Sequence, residues 1–218
     1  MALNKLKYNS LNVTPVANKA ISFDSDPDAL EATLGGGSMT FIKKLTASSS
    51  GTLSFVDGSS DVVLDNTYKE YLFLFTNIHP ATDDATLQFN LSVDTGSNYN
   101  VTKTTTAFGA AHGENGSSGN ISYDTGLDLA QSTNFQGLNL GSSDNDHAIS
   151  GTLNLFNPSS TTFVKHFIAV SSTTNYDNLN LVKHIAGYGN TTSAVDGVQF
   201  KYSSGNIDAG TITLYGIN

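Results

Sequence analysis

Five histidines and two acidic clusters hold most of the chemistry-bearing side chains of this 218-residue chain. His79 precedes Pro80, His112 lies in a glycine-rich stretch, and His147 follows Asp144 and Asp146. His166 and His184 each follow a lysine, Lys165 and Lys183, inside strand-like runs. None forms the i, i+4 pair with which a helix grips zinc. Each therefore reads as a surface or loop histidine. Asp24-Ser-Asp26-Pro-Asp28 opens like a calcium loop. Its sixth position, however, is Ala29 where the turn needs glycine, and its twelfth is Gly35 where a bidentate glutamate must close the site. Asp144-Asn-Asp146 reads as a solvated turn.

Nucleophilic chemistry finds no support. The chain has no cysteine, which excludes disulfides, thiolate metal sites and cysteine nucleophiles. It has neither a G-x-S-x-G elbow nor a phosphate-binding P-loop. A glycosidase carboxylate pair would have to be assembled from loops, because carboxylates are few within the strand-like runs. No catalytic, cofactor-binding or metal-ligating residue is expected. The sequons at Asn12, Asn90, Asn100, Asn115, Asn120 and Asn190 follow from an Asn- and Thr-rich composition. Tyr99, Tyr123, Tyr176 and Tyr202, where exposed, could stack on sugar rings; where buried, they are packing.

The charge balance narrows the partners. There are 10 basic against 19 acidic residues, for a net charge of −9, and every basic residue is lysine. Without arginine forks or a basic stripe, neither nucleic acid nor an anionic membrane surface is an expected partner. No run approaches the roughly 20 apolar residues of a membrane helix. The opening Met1-Ala-Leu-Asn-Lys-Leu-Lys lacks the apolar core of a secretory signal, which predicts synthesis in a cytosol.

The elements that must position these residues read as strands. Residues 1–38 carry scattered apolar positions (Leu11, Val13, Val16, Ile21, Phe23) and end in Gly35-Gly36-Gly37. They read as an extended N-terminal arm with a glycine hinge, the arm docking through those five side chains. A first strand and loop of the same domain is the alternative. From Met39 to Asn218, short runs alternate between apolar and polar residues. The clearest is Leu87-Gln-Phe-Asn-Leu-Ser-Val, with Leu87, Phe89, Leu91 and Val93 facing inward and Gln88, Asn90 and Ser92 outward. Residues 71–75, apolar on both faces, predict a central strand, and residues 77–84 a turn around Pro80. Helical periodicity is faint, and confined to residues 127–131. Further strands are expected at 40–46, 52–56, 150–156, 163–170, 179–185, 198–202 and 211–215. The fold class is all-β: an antiparallel sandwich, of jelly-roll type. Its expected core includes Phe73, Phe75, Phe89, Leu91, Leu153, Leu155, Phe200 and Leu214.

Three stretches carry a resemblance. They are Thr76-Asn-Ile-His-Pro-Ala-Thr-Asp, Gly151-Thr-Leu-Asn-Leu-Phe-Asn-Pro-Ser-Ser-Thr-Thr, and residues 198–217. Together residues 39–218 resemble a family of phage virion proteins, often described as tail-fibre or structural proteins and similar across phages of marine bacteria. The resemblance implies a non-enzymatic β-sandwich displayed in many copies on a particle assembled in the host cytoplasm. Its partners would be other virion proteins, copies of itself, and a host-surface glycan. Capsid decoration or head-fibre protein is the first alternative, and a free carbohydrate-binding module the second. The motifs are structural punctuation, so the resemblance transfers no binding residues.

Overall fold

The computed structural model describes residues 38–116 and 119–218, and the backbone of two short strands between residues 20 and 33. The chain divides into two compact units, Met1–Gly37 and Ser38–Asn218. In the first, β1 (Ala20–Phe23) pairs antiparallel with β2 (Leu30–Thr33). Ile21 and Phe23 thus fall in a hairpin strand. Their side chains, together with Leu11, Val13, Val16, the acidic positions Asp24, Asp26 and Asp28, and the hinge Gly35, Gly36 and Gly37, lie outside the described residues.

The second unit is built of strands. In chain order they are β3 (Met39–Thr46), β4 (Leu53–Val56), β5 (Glu70–Pro80), β6 (Ala85–Ser92), β7 (Lys103–Gly113) and β8 (Gly119–Tyr123). There follow β9 (Gln136–Gly141), β10 (Ile149–Phe156), β11 (Lys165–Thr174), β12 (Leu179–Gly189), β13 (Gly197–Tyr202) and β14 (Ile207–Ile217). Two antiparallel sheets pack face to face. The large one runs β3-β14-β5-β10-β11-β12-β7-β8 and the small one β4-β13-β6-β9.

The pairing is nested. β3 pairs with β14, β4 with β13, β5 with β10 and β6 with β9, so the chain's outer strands embrace its inner ones. Successive nested pairs alternate between the large and the small sheet. Two hairpins interrupt this scheme. β7–β8 lies between β6 and β9, β11–β12 between β10 and β13, and both extend the large sheet beyond β10.

Period-2 alternation explains where the core sits. Every one of the eight expected core residues is buried. Their aromatic rings meet edge-on or tilted around Phe200, which contacts Phe73 at 5.4 Å, Phe75 at 5.3 Å, Phe89 at 6.2 Å and Phe55 at 6.3 Å. Edge-to-face packing matches the positive ring edge to a negative ring face. A polar contact also ties the sheets together: buried Asn139 of β9 donates to the carbonyl and hydroxyl of Ser171 on β11.

Several local expectations are corrected. Residues 77–80 continue β5 instead of turning, and the turn follows at residues 81–84. The strand tolerates Pro80 because its pairing with β14 shifts register twice there, with Asn77 at φ 52° and Gly210 opposite at φ 103°. Residues 127–131 contain no helix. Phe163 precedes β11 and is exposed. In β6, Val93 lies past the strand end and is 38% exposed, while Asn90 and Ser92 are fully buried. Their face of the sheet is covered by the loops at residues 93–102 and 124–135.

Candidate functional site

Two surfaces of the sandwich stand out, one apolar and one polar. The apolar one is the outer face of the large sheet. Register places Tyr123, Phe108, His184, Val170, Thr152, Leu74, Thr213 and Lys44 in one row across all eight strands. The next row holds Thr106, Ala186, Ile168, Asn154, Leu72, Tyr215 and Phe41. These two rows contain a single formal charge, Lys44. Phe41 is 60% exposed, and Ile121, two residues before Tyr123 on β8, is 81% exposed. The ring of His184 stacks on Phe108 at 5.0 Å and 4° between planes. Beside it, Phe156, His166, Ile168 and Tyr188 line a shallow groove of about 590 Å³.

A sheet face normally alternates apolar-in with polar-out. Here both faces carry large apolar side chains, and among the described residues only the inner one is covered by a second sheet. Monomeric soluble proteins rarely expose a contiguous apolar patch of this extent.

The polar surface lies outside the small sheet and rests on a buried pair. Lys103 and Asn90 are both fully buried. The Lys103 amine donates to Asn90 Oδ1 and to the Val101 carbonyl. Asn90 Nδ2 in turn donates to the carbonyls of Tyr99, at 2.7 Å, and Thr133, at 3.0 Å. One asparagine therefore ties two separate loops to β6. Burial without a carboxylate partner pushes the Lys103 amine down to about 7. A neutral amine has two N–H groups, which matches the two acceptors offered. Lys165 repeats the arrangement: it is buried, donates to the carbonyls of Phe163 and Thr191, and is lowered by desolvation. Both lysines pair in register with Gly189, one from each side.

Above this pair opens a cleft of about 520 Å³. Its floor is the outer row Lys201–Gln88–Gly137. Its walls are Tyr99 on one side and Leu127, Leu129, Thr133, Asn134 and Phe135 on the other. Lys201 sits 4.3 Å over the Phe135 ring.

Of the histidines, the structure brings two together. His79 Nε2 donates to the Asp144 carbonyl, and its other ring nitrogen lies 3.8 Å from Asp208. His147 lies 3.8 Å from Asp144 and 3.9 Å from Asp146. Among the described residues, no group of three or more His, Asp or Glu side chains is placed to hold a metal ion. His112 stands apart on β7, and His166 and His184 belong to the apolar face.

The tyrosines separate by environment. Tyr202 is core, with its hydroxyl donating to the Ile78 carbonyl. Tyr123 and Tyr176 are exposed, and Tyr99 is half-buried in the cleft wall. Sequence reasoning missed Phe108, Ile168, Lys103 and Asn90 as surface or hub residues. The only available signal was the unusual lysine opening a Thr- and Ala-rich strand.

No family of known proteins, no curated protein and no solved structure matches this chain. Among the described residues, no helix is long and apolar enough to cross a membrane.

Proposed function

We propose that the chain is a non-enzymatic structural subunit of a phage particle, mounted as a tail-fibre or similar surface appendage. In this reading the sandwich is a jelly roll. The nested pairs β3·β14, β4·β13, β5·β10 and β6·β9, alternating between sheets, are what an antiparallel ribbon gives when it rolls up on itself. Capsid and lectin domains use that arrangement. The resemblance of residues 39–218 to virion proteins points the same way.

The observation that carries the proposal is the nearly uncharged outer face of the large sheet. Eight strands spaced about 4.8 Å apart give a face roughly 34 Å wide. That is wide enough for a standard interface of about 800 Å² per partner. Its occupant is a second copy of the chain in the assembled appendage, which would also cover the exposed edge strands β3 and β8.

Immunogold labelling of purified particles, with antibody raised against residues 38–218, tests the assignment. Labelled tails or appendages are expected. Labelling of the head alone would select the capsid-decoration reading, and unlabelled particles would refute both. In parallel, Phe108→Ser with Ile168→Ser should shift sedimentation toward the monomer while leaving the fold intact.

A further inference from the structure

We propose that the cleft outside the small sheet binds a short neutral oligosaccharide. The inference goes beyond the particle assignment and stands without it, since it uses only the cleft's own chemistry.

Sugar recognition needs three things: groups that both donate and accept, an apolar surface for the ring's C–H face, and walls held in place before the ligand arrives. The cleft supplies each. The side-chain amides of Gln88 and Asn134 and the hydroxyl of Thr133 have no hydrogen-bond partner among the described residues. All three can donate and accept, as sugar hydroxyls do. The one charged group of the cleft, Lys201, is held over the Phe135 ring, which leaves the two amides and the hydroxyl as its neutral polar lining. Tyr99 and Phe135 present ring surface in the walls.

Preorganisation is the more telling observation. The two walls come from loops far apart in sequence, and each is fixed at its base by the same buried side chain, Asn90. Asn90 is itself held by the buried Lys103 amine. Both walls are therefore held in place before a ligand arrives, and the polar groups of the cleft face solvent between them. No carboxylate lines the cleft, so the site offers binding without an acid–base pair for hydrolysis.

Saturation-transfer NMR and calorimetric titration of the full chain with maltotriose, cellotriose, chitotriose and xylotriose test the proposal. At least one should bind. Gln88→Ala with Asn134→Ala should then weaken that binding by roughly tenfold or more, which corresponds to losing about one well-made hydrogen bond. Tyr176→Ser, at an exposed position between β11 and β12, should leave it unchanged. If the double variant fails to fold, Thr133→Val, which keeps the volume and removes the hydroxyl, serves instead, with a severalfold loss expected. Absence of binding by all four saccharides, or equal binding by a folded cleft variant, would overturn the inference.

Discussion

The Lys103 amine donates to the side-chain oxygen of Asn90 beneath the loops that cover the small sheet, with no carboxylate among its hydrogen-bond partners. The pair links a strand of the large sheet to one of the small sheet and, through Asn90, to both walls of the polar cleft. A buried network of this kind stabilises only when every member is satisfied. Asn90→Ala would leave the Lys103 amine and two carbonyls short of partners, and should cost about 2–4 kcal/mol in urea unfolding.

The same lysine sets a pH dependence. Its folded-state value is about 7 against an ordinary 10.5, so between these the unfolded chain binds more protons than the folded one. Stability contributed by this group therefore rises with pH across that window, by at most about 1.4 kcal/mol per pH unit. Lys165, lowered for the same reason, adds in the same direction. Urea unfolding of the wild type and Lys103→Met at pH 7.5 and 9 should show the difference between them moving in the wild type's favour as pH rises. A pH-independent difference would show that Lys103 stays charged in the fold.

Phe200 is the centre of the aromatic core, touching rings from β4, β5 and β6. Phe200→Ala should cost about 3–5 kcal/mol, and Phe89→Ala, whose ring also meets Phe167 at 5.0 Å, a similar amount. Phe200→Leu keeps most of the volume and should cost less than half as much. Losses below about 1 kcal/mol for both alanine variants would contradict the packing described.

Gly210 sits at φ 103°, opposite Asn77 in the doubly shifted register of β5 and β14. A Cβ there would collide with the Asn77 backbone carbonyl. Gly58, at φ 72°, has open space around it. Gly210→Ala should therefore cost about 2–3 kcal/mol or more, whereas Gly58→Ala carries only backbone strain of about 1 kcal/mol. Equal melting temperatures for the two variants would remove the bulge from the account of why Pro80 fits in a strand.

The division into two units makes a truncation informative. Deleting residues 1–37 should leave a folded sandwich melting within about 3 °C of the full chain, a change of under about 1 kcal/mol. On the docking hypothesis for Leu11, Val13, Val16, Ile21 and Phe23, the truncated protein should also fail to enter particles. Unfolding on truncation would mean that the segment completes the sandwich.

The fold class and most of the core were legible because period-2 alternation is a local property. Phe89 and Leu91, or Leu153 and Leu155, announce a buried face within a few residues of chain. β7, β8 and β9 escaped notice because Thr-, Ala-, Gly- and Asn-rich strands carry little apolar contrast. Alternation also cannot tell which apolar face gets covered. Phe108 and Ile168 look in sequence like Phe89 and Leu91, yet they lie on the outer face of the large sheet, whereas Phe89 and Leu91 face the other sheet. The nested pairing joins β3 to β14, which are separated by most of the chain, and pairings that distant are settled by global packing. Burial of Lys103 and Asn90 belongs to the same class. Composition marks both as surface residues, and only the loops folded over them, with a hydrogen bond for each polar group, make their burial stable.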